Sequence, residues 1–216
     1  MKIYESNFGG VSAEDGPPPK IKYFMEIEYE ATFENIDKGE IREKLQKAGA
    51  VLVRPEFMQK RKVFKLPKGN EISSGWLRVR DEGNRITMTL KIVDGEKIEN
   101  QKETIVEVDS FDKACEFLTS IGCFEKGYQE SKRELWKIGE TEITIDEWPF
   151  LEPFVEVEAK SEKEVIEVSE KLGFDYTEAL FCAVDTLYAR KYKVSKDIID
   201  NKIPKLVFEM ENPFVN

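Results

Sequence analysis

The sequence predicts an α+β fold built as an eight-stranded antiparallel β-barrel with flanking helices. Three observations carry this. About eight segments alternate apolar and polar residues, most are joined as hairpins, and helices fall between them, unlike the regular βαβ order of a parallel sheet. Strand after strand then has one apolar and one charged face. The charges are also sorted by sign, with whole strands acidic and others basic. A solvated outer face is the common explanation of such alternation, but it usually mixes signs. Polar faces turned into a closed barrel of about eight strands would line an interior wide enough for side chains or one ligand.

The elements follow in order. Residues 1–20, rich in Gly, Pro and Ser, read as a flexible leader without the apolar stretch of a signal peptide. "MEIEYEATF" belongs to a strand over about 22–34, placing Glu26, Glu28 and Glu30 at every second position. Residues 37–50 form an amphipathic helix with Asp37 as N-cap, Ile41 and Leu45 inward and Gly49 near its stop. Strands follow around 51–54 and 57–66. A hairpin then joins 75–81 to 85–93 through Glu82, Gly83 and Asn84. A strand over 102–109 leads to a helix over 110–122. A second hairpin turns at Gly139, and a strand covers 154–160. Ser161 and Glu164 suit a capping box for the next helix. Residues 175–192 read as the longest helix, covering the barrel, and the tail holds a short helix with room for one last strand. The expected organisation is a leader, one domain over 21–193, and an extension over 194–216 packed on it.

Composition narrows the chemistry. The chain has 216 residues, no histidine and a net charge of −10. Without histidine, Ser-His-Asp and Cys-His catalysis and histidine-ligated zinc are excluded in their usual forms. An acidic balance argues against nucleic acid as a partner. No run approaches the ~18 apolar residues of a membrane helix. Three scattered cysteines, Cys115, Cys123 and Cys182, fit a reducing cytoplasm.

The charged faces suggest a ligand. Arg78 and Arg80 share one face of their strand; Thr87, Thr89 and Lys91 share another. Thr144 and Asp146 oppose Ile143 and Ile145, and Glu156 and Glu158 oppose Val155 and Val157. Polyphosphate matches such separated walls: guanidinium groups neutralise its oxygens, and it travels with Mg²⁺ or Mn²⁺, hard cations that take carboxylate oxygens. A row of glutamates is tolerable with a divalent cation among them.

The order E-x-E, L-R-x-R, an L-K strand, a basic strand, D-E and E-x-E resembles the CYTH superfamily, the triphosphate tunnel metalloenzymes, over about Tyr23 to Lys193. That family includes class IV adenylate cyclases, thiamine triphosphatases and inorganic triphosphatases. The resemblance implies an eight-stranded antiparallel tunnel, a triphosphate-containing small molecule held by basic residues, one or two Mg²⁺ or Mn²⁺ ions, and room for a homodimer. It assigns phosphate binding to Arg78, Arg80, Lys91 and Arg133, and metal binding to Glu26, Glu28, Asp146, Glu156 and Glu158. Glu156 or Glu158 would orient the attacking water. The signature continues E-x-E-x-K, whereas position 30 is Glu. A strand often reading Q-x-D-x-Y carries Arg61 at the acid's place, adding a phosphate-binding candidate. Ser131 stands where a lysine is usual. Glu30 and Arg61 are expected either to face each other as a swapped ion pair or to have changed independently. The functional expectation is metal-dependent hydrolysis of a triphosphate. Cyclisation of ATP to cyclic AMP and pyrophosphate, and polyphosphate binding without catalysis, stand beside it. Trp148, Phe150 and Phe154 read as a packed barrel corner.

Overall fold

Two consecutive strands, β2 (Lys22–Ile27) and β3 (Tyr29–Phe33), close a barrel between them. The structure, a computed structural model, describes the backbone of residues 2–5 and 22–215 and the side chains of residues 25–215. Most of the leader expected over 1–20 therefore lies outside the described residues. Lys2–Glu5 is the exception: it forms strand β1, paired antiparallel with β2.

The remaining barrel strands are β4 (Val51–Lys65), β5 (Gly75–Asp81), β6 (Ile86–Val93), β7 (Gln101–Val108), β8 (Phe124–Ile138), β9 (Thr141–Glu147) and β10 (Phe154–Ala159). Their order around the wall is β2-β7-β6-β5-β4-β8-β9-β10-β3. That makes nine strands, or the expected eight when β2 and β3, separated only by Glu28, are taken as one interrupted strand. At the break the Glu28 amide donates to the Gln101 carbonyl (3.0 Å), and the Glu30 amide to the Glu28 carbonyl (3.1 Å). The Gln101 side-chain amide donates to the Glu30 carbonyl at 2.7 Å. One partner thus satisfies both sides of the interruption. The barrel is nearly closed, since no ladder joins β2 to β3 and the two strands part at the break.

The two strands expected over 51–54 and 57–66 are one. β4 runs through Pro55 because register shifts against β8 between Leu52 and Arg54, and between Arg54 and Phe57, place the proline in an irregularity where no ladder amide is required.

Helices cover the apolar outer faces. Helix α1 (Lys38–Lys47) starts at Asp37, whose carboxylate accepts from the Glu40 amide at 2.9 Å. It and α3 (Glu162–Lys171) pack Ile41, Leu45, Val165 and Val168 on Ala31, Ile143, Ile145, Val155 and Val157. Helix α2 (Phe111–Ser120), capped by Ser110, packs Ala114, Cys115 and Leu118 on Phe64 and Val79. The alternation read from the sequence therefore places apolar side chains outside the barrel and polar ones inside.

The helix expected over 175–192 is shorter. Residues Tyr176–Glu178 form a 3-10 turn, Leu180 pairs with Thr32 through two backbone hydrogen bonds (2.9 and 3.0 Å), and α4 spans only Val184–Tyr192. β3 leaves the side of β7 at the break, and Leu180 satisfies the Thr32 backbone groups this exposes. That tertiary demand overrides local helix preference. Helix α5 (Lys196–Lys202) and β11 (Lys205–Leu206) complete the tail, with β11 parallel to β8. Leu187, Tyr188, Ile199 and Leu206 pack on Trp148 and Phe154, so α4, α5 and β11 plug one end of the barrel around the expected aromatic corner.

Candidate functional site

The inward faces enclose a cavity of about 320 Å³. Strand parity delivers Arg61 from β4, Arg78 and Arg80 from β5, Lys91 from β6, Arg133 from β8, and Glu156 and Glu158 from β10 to its wall. Glu28 and Glu30 reach it from the β2–β3 break, and Ala183 and Val184 reach it from the plugged end. Lys132 takes the opposite parity. It bonds Glu147 at 3.1 Å on the outer surface and lies over Phe208.

One side of the cavity is acidic. Carboxylate oxygens of Glu28, Glu30 and Glu158 lie within 4.8 Å of one another. Burial, reinforced by Glu156 and Glu28, holds Glu30 well above the usual carboxylate range. Burial, with Glu28 and Glu103 nearby, pushes Glu158 up to about 7. The Lys91 ammonium lies 2.8 Å from both oxygens of Glu28. Its burial opposes the charge, but Glu28 and Glu30 outweigh that and hold it above its ordinary value. Three crowded, mutually repelling carboxylates form a hard-oxygen donor set that suits a divalent cation.

The acids expected as metal ligands fall in different places. Glu26 is exposed and pairs with Glu103 in the β2–β7 ladder, outside the cluster. Asp146 accepts from Arg133 Nε and Nη2, both at 2.8 Å, and from the Thr144 hydroxyl at 2.7 Å. Glu156 accepts from Arg133 Nη2 at 2.5 Å. These two acids neutralise a guanidinium, and Glu156 also borders the three-carboxylate group, where it acts on Glu30. Of the expected acids, Glu28 and Glu158 come together, and Glu30 is the third. Glu28 and Glu30 thus form an E-x-E pair at the cavity, with Thr32 two residues further on.

The basic side is unevenly neutralised. Arg80 is 2.7 Å from Glu82, and burial, with Arg78 and Arg133 nearby, pushes it down to about 9. Burial opposes the charge on Arg133, yet Asp146 and Glu156 outweigh it and hold it well above its ordinary value. Arg61 and Arg78 differ: neither has a carboxylate partner among the described residues, and the Nε of each is buried without a hydrogen bond. The expected ion pair between Arg61 and Glu30 does not form. β4 pairs with β5 and β8, whereas β3 pairs with β10, so the topology separates them. Gln59, Glu82, Glu103 and Trp148 were not singled out as site residues by sequence reasoning. For Gln59 and Glu103 the available signal was parity with Arg61 and with the cross-strand partner of Lys91.

A family model described as the CYTH domain matches residues 25–187. A conserved hypothetical protein from Pyrococcus furiosus superposes with a TM-score of 0.62 at 22% identity, covering 74% of this chain and 99% of that one. A putative adenylate cyclase from Vibrio parahaemolyticus gives 0.65 at 11% identity, covering 76% and 98%. A putative adenylyl cyclase from Hippeastrum, described as having a dominant triphosphatase activity, gives 0.51 at 12%, covering 78% and 97%. No curated protein sequence matches. Among the described residues no helix is long and apolar enough to cross a membrane. With the family model spanning most of the chain and the fold shared with these structures, the chain belongs to the CYTH domain family.

Proposed function

We propose that the chain is a metal-dependent phosphohydrolase that binds a triphosphate in its tunnel and cleaves the terminal phosphoanhydride. The observation that carries this is the pairing of two arginines without a carboxylate partner among the described residues, the buried Arg61 and the half-buried Arg78, with a cluster of three carboxylates in one cavity. A buried, unpaired cation is costly, and a polyanion would relieve both arginines at once. Arg78, Arg80, Lys91 and Arg133 would grip the phosphate oxygens and meet the charge that builds on them during transfer. Arg133 is held in place by Asp146 and Glu156, so these acids position it. Glu28, Glu30 and Glu158 would hold a divalent cation. When bound, it supplies charge neutralisation on phosphate oxygens and activation of water. Glu158, on the same wall, would orient the water that such a cation holds.

The second reading is nucleotide cyclisation. It is favoured by Trp76 and Ile105, apolar cavity residues beside Lys91 and Thr89 on which a base would lie. Incubation with tripolyphosphate, with ATP and with thiamine triphosphate, each with Mg²⁺ or Mn²⁺, separates the readings. Orthophosphate release is the expected result. Cyclic AMP with pyrophosphate would establish cyclisation instead, and binding without turnover under either metal would leave a binding protein.

A further inference from the structure

Arg61 is an unusual cation even within this cavity. It is 5% exposed, and its guanidinium carbon lies 4.3 Å from the centre of the Trp148 ring, itself buried. Nη2 donates to the Gln59 side-chain oxygen at 2.7 Å and to the Ser131 hydroxyl. Gln59 and Ser131 also bond each other at 3.2 Å and face one another across the β4–β8 ladder. Three neutral groups, Gln59 and Ser131 on strands and Trp148 just after β9, therefore fix the head of Arg61, leaving its Nε unpartnered. The charged groups that act on it most are Arg78, Arg80 and Arg133, all of its own sign, and Asp146, which Arg133 already occupies. Burial and these arginines push Arg61 well below its ordinary value, yet a guanidinium does not give up its proton in a protein.

We infer that Arg61 is a substrate-binding residue that holds the phosphate chain at the tunnel end closed by Trp148 and α4, delivering from β4 a charge that β8 lacks at Ser131. This rests on the triphosphate reading above and deepens it. Trp148, backed by Leu187 and Tyr188, forms a wall behind the guanidinium. Arg61 also lines the cavity, where its planar head can meet phosphate oxygen. Ser131 is small enough to leave room for the arginine that crosses to it. A lysine at position 131 would bring its ammonium to the space that the Arg61 head now fills. The two arrangements are alternatives: charge on β4 with a small residue on β8, or the reverse.

The test is equilibrium binding of tripolyphosphate to four proteins: wild type, Arg61→Ala, Arg61→Ala with Ser131→Lys, and Arg78→Ala, each also melted thermally. Loss of one charge-assisted contact is expected to weaken Arg61→Ala about tenfold or more. Its Tm should not fall, because an unpaired buried charge has been removed. The added Ser131→Lys should restore most of the affinity. Unchanged affinity in Arg61→Ala alongside weakened Arg78→Ala would overturn the role of Arg61 and leave the triphosphate reading standing. A lower Tm together with affinity loss that Ser131→Lys does not restore would make Arg61 a structural support for Trp148. If wild type does not bind, or Arg78→Ala binds as wild type does, the triphosphate reading itself fails.

Discussion

Replacing Arg78 with alanine is expected to lower kcat/KM for the best triphosphate substrate by about a hundredfold or more while leaving thermal stability undiminished. The two halves of this expectation have one cause. Arg78 lies on the cavity wall near Arg61 and Arg80, with its Nε buried and unbonded and no carboxylate partner among the described residues. It also depresses both neighbours, Arg61 and Arg80, through like-charge repulsion. In the empty protein it is therefore a burden on stability. Its contribution appears only with an anion present, where a charged hydrogen bond contributes about 1.5–3 kcal/mol. Donors aimed at charge developing in the transition state account for about 10²–10³ in rate. Arg78→Lys should recover part of the loss, since it keeps the charge without the two-pronged geometry. Steady-state kinetics on both variants, with melting curves, checks this. An Arg78→Ala protein that keeps its activity would remove the residue from the site.

The second large effect comes from the acid cluster and concerns pH. Folding raises the carboxyl groups of Glu30 and Glu158 above their ordinary value of 4.5, Glu158 to about 7. Between those values the folded chain binds more protons than the unfolded one. Stability is then greatest at the acid side and falls as pH rises through this window. At pH 8, above the value of Glu158 and without divalent cations, charge accumulates in the cluster and its members repel. Glu30→Gln removes one charge at nearly constant shape, and is expected to raise Tm at pH 8 by about 2–8 °C. At pH 5 the gain should shrink. Mg²⁺ or Mn²⁺ should raise the wild-type Tm at pH 8 by mass action, and Glu30→Gln should lose most of that response together with turnover. A Glu30→Gln protein that melts lower at pH 8 and keeps its full response to cations would contradict the cluster as a cation site.

Much of this was legible in the sequence because strand parity is strict. Once Leu77 and Val79 face outward, Arg78 and Arg80 must face inward, and the same holds for Lys91 opposite Leu90 and for Glu158 opposite Val157. The closed barrel followed from those faces. What the sequence did not reveal depends on contacts between distant segments. Glu26, Glu28 and Glu30 are equally spaced, so two frames of the acid pair are equivalent until the strand breaks at Glu28 and β2 and β3 part toward β7 and β10. The helix expected from residue 175 lost its first turns to the pairing of Leu180 with Thr32. The imagined contact of Glu30 with Arg61 failed because the order of strands, which no local pattern encodes, puts β3 and β4 apart. Asp146 and Glu156 have the composition of metal ligands and the geometry of partners for Arg133.

The central claim is that the cavity is built for a triphosphate and a divalent cation together. Calorimetric titration of tripolyphosphate into the wild-type protein, with and without Mg²⁺, tests it most directly. One site per chain, tighter by about tenfold or more with the cation present and absent or strongly weakened in Arg78→Ala, is the predicted result. No detectable binding under either condition, or binding indifferent to both Mg²⁺ and Arg78, would contradict it.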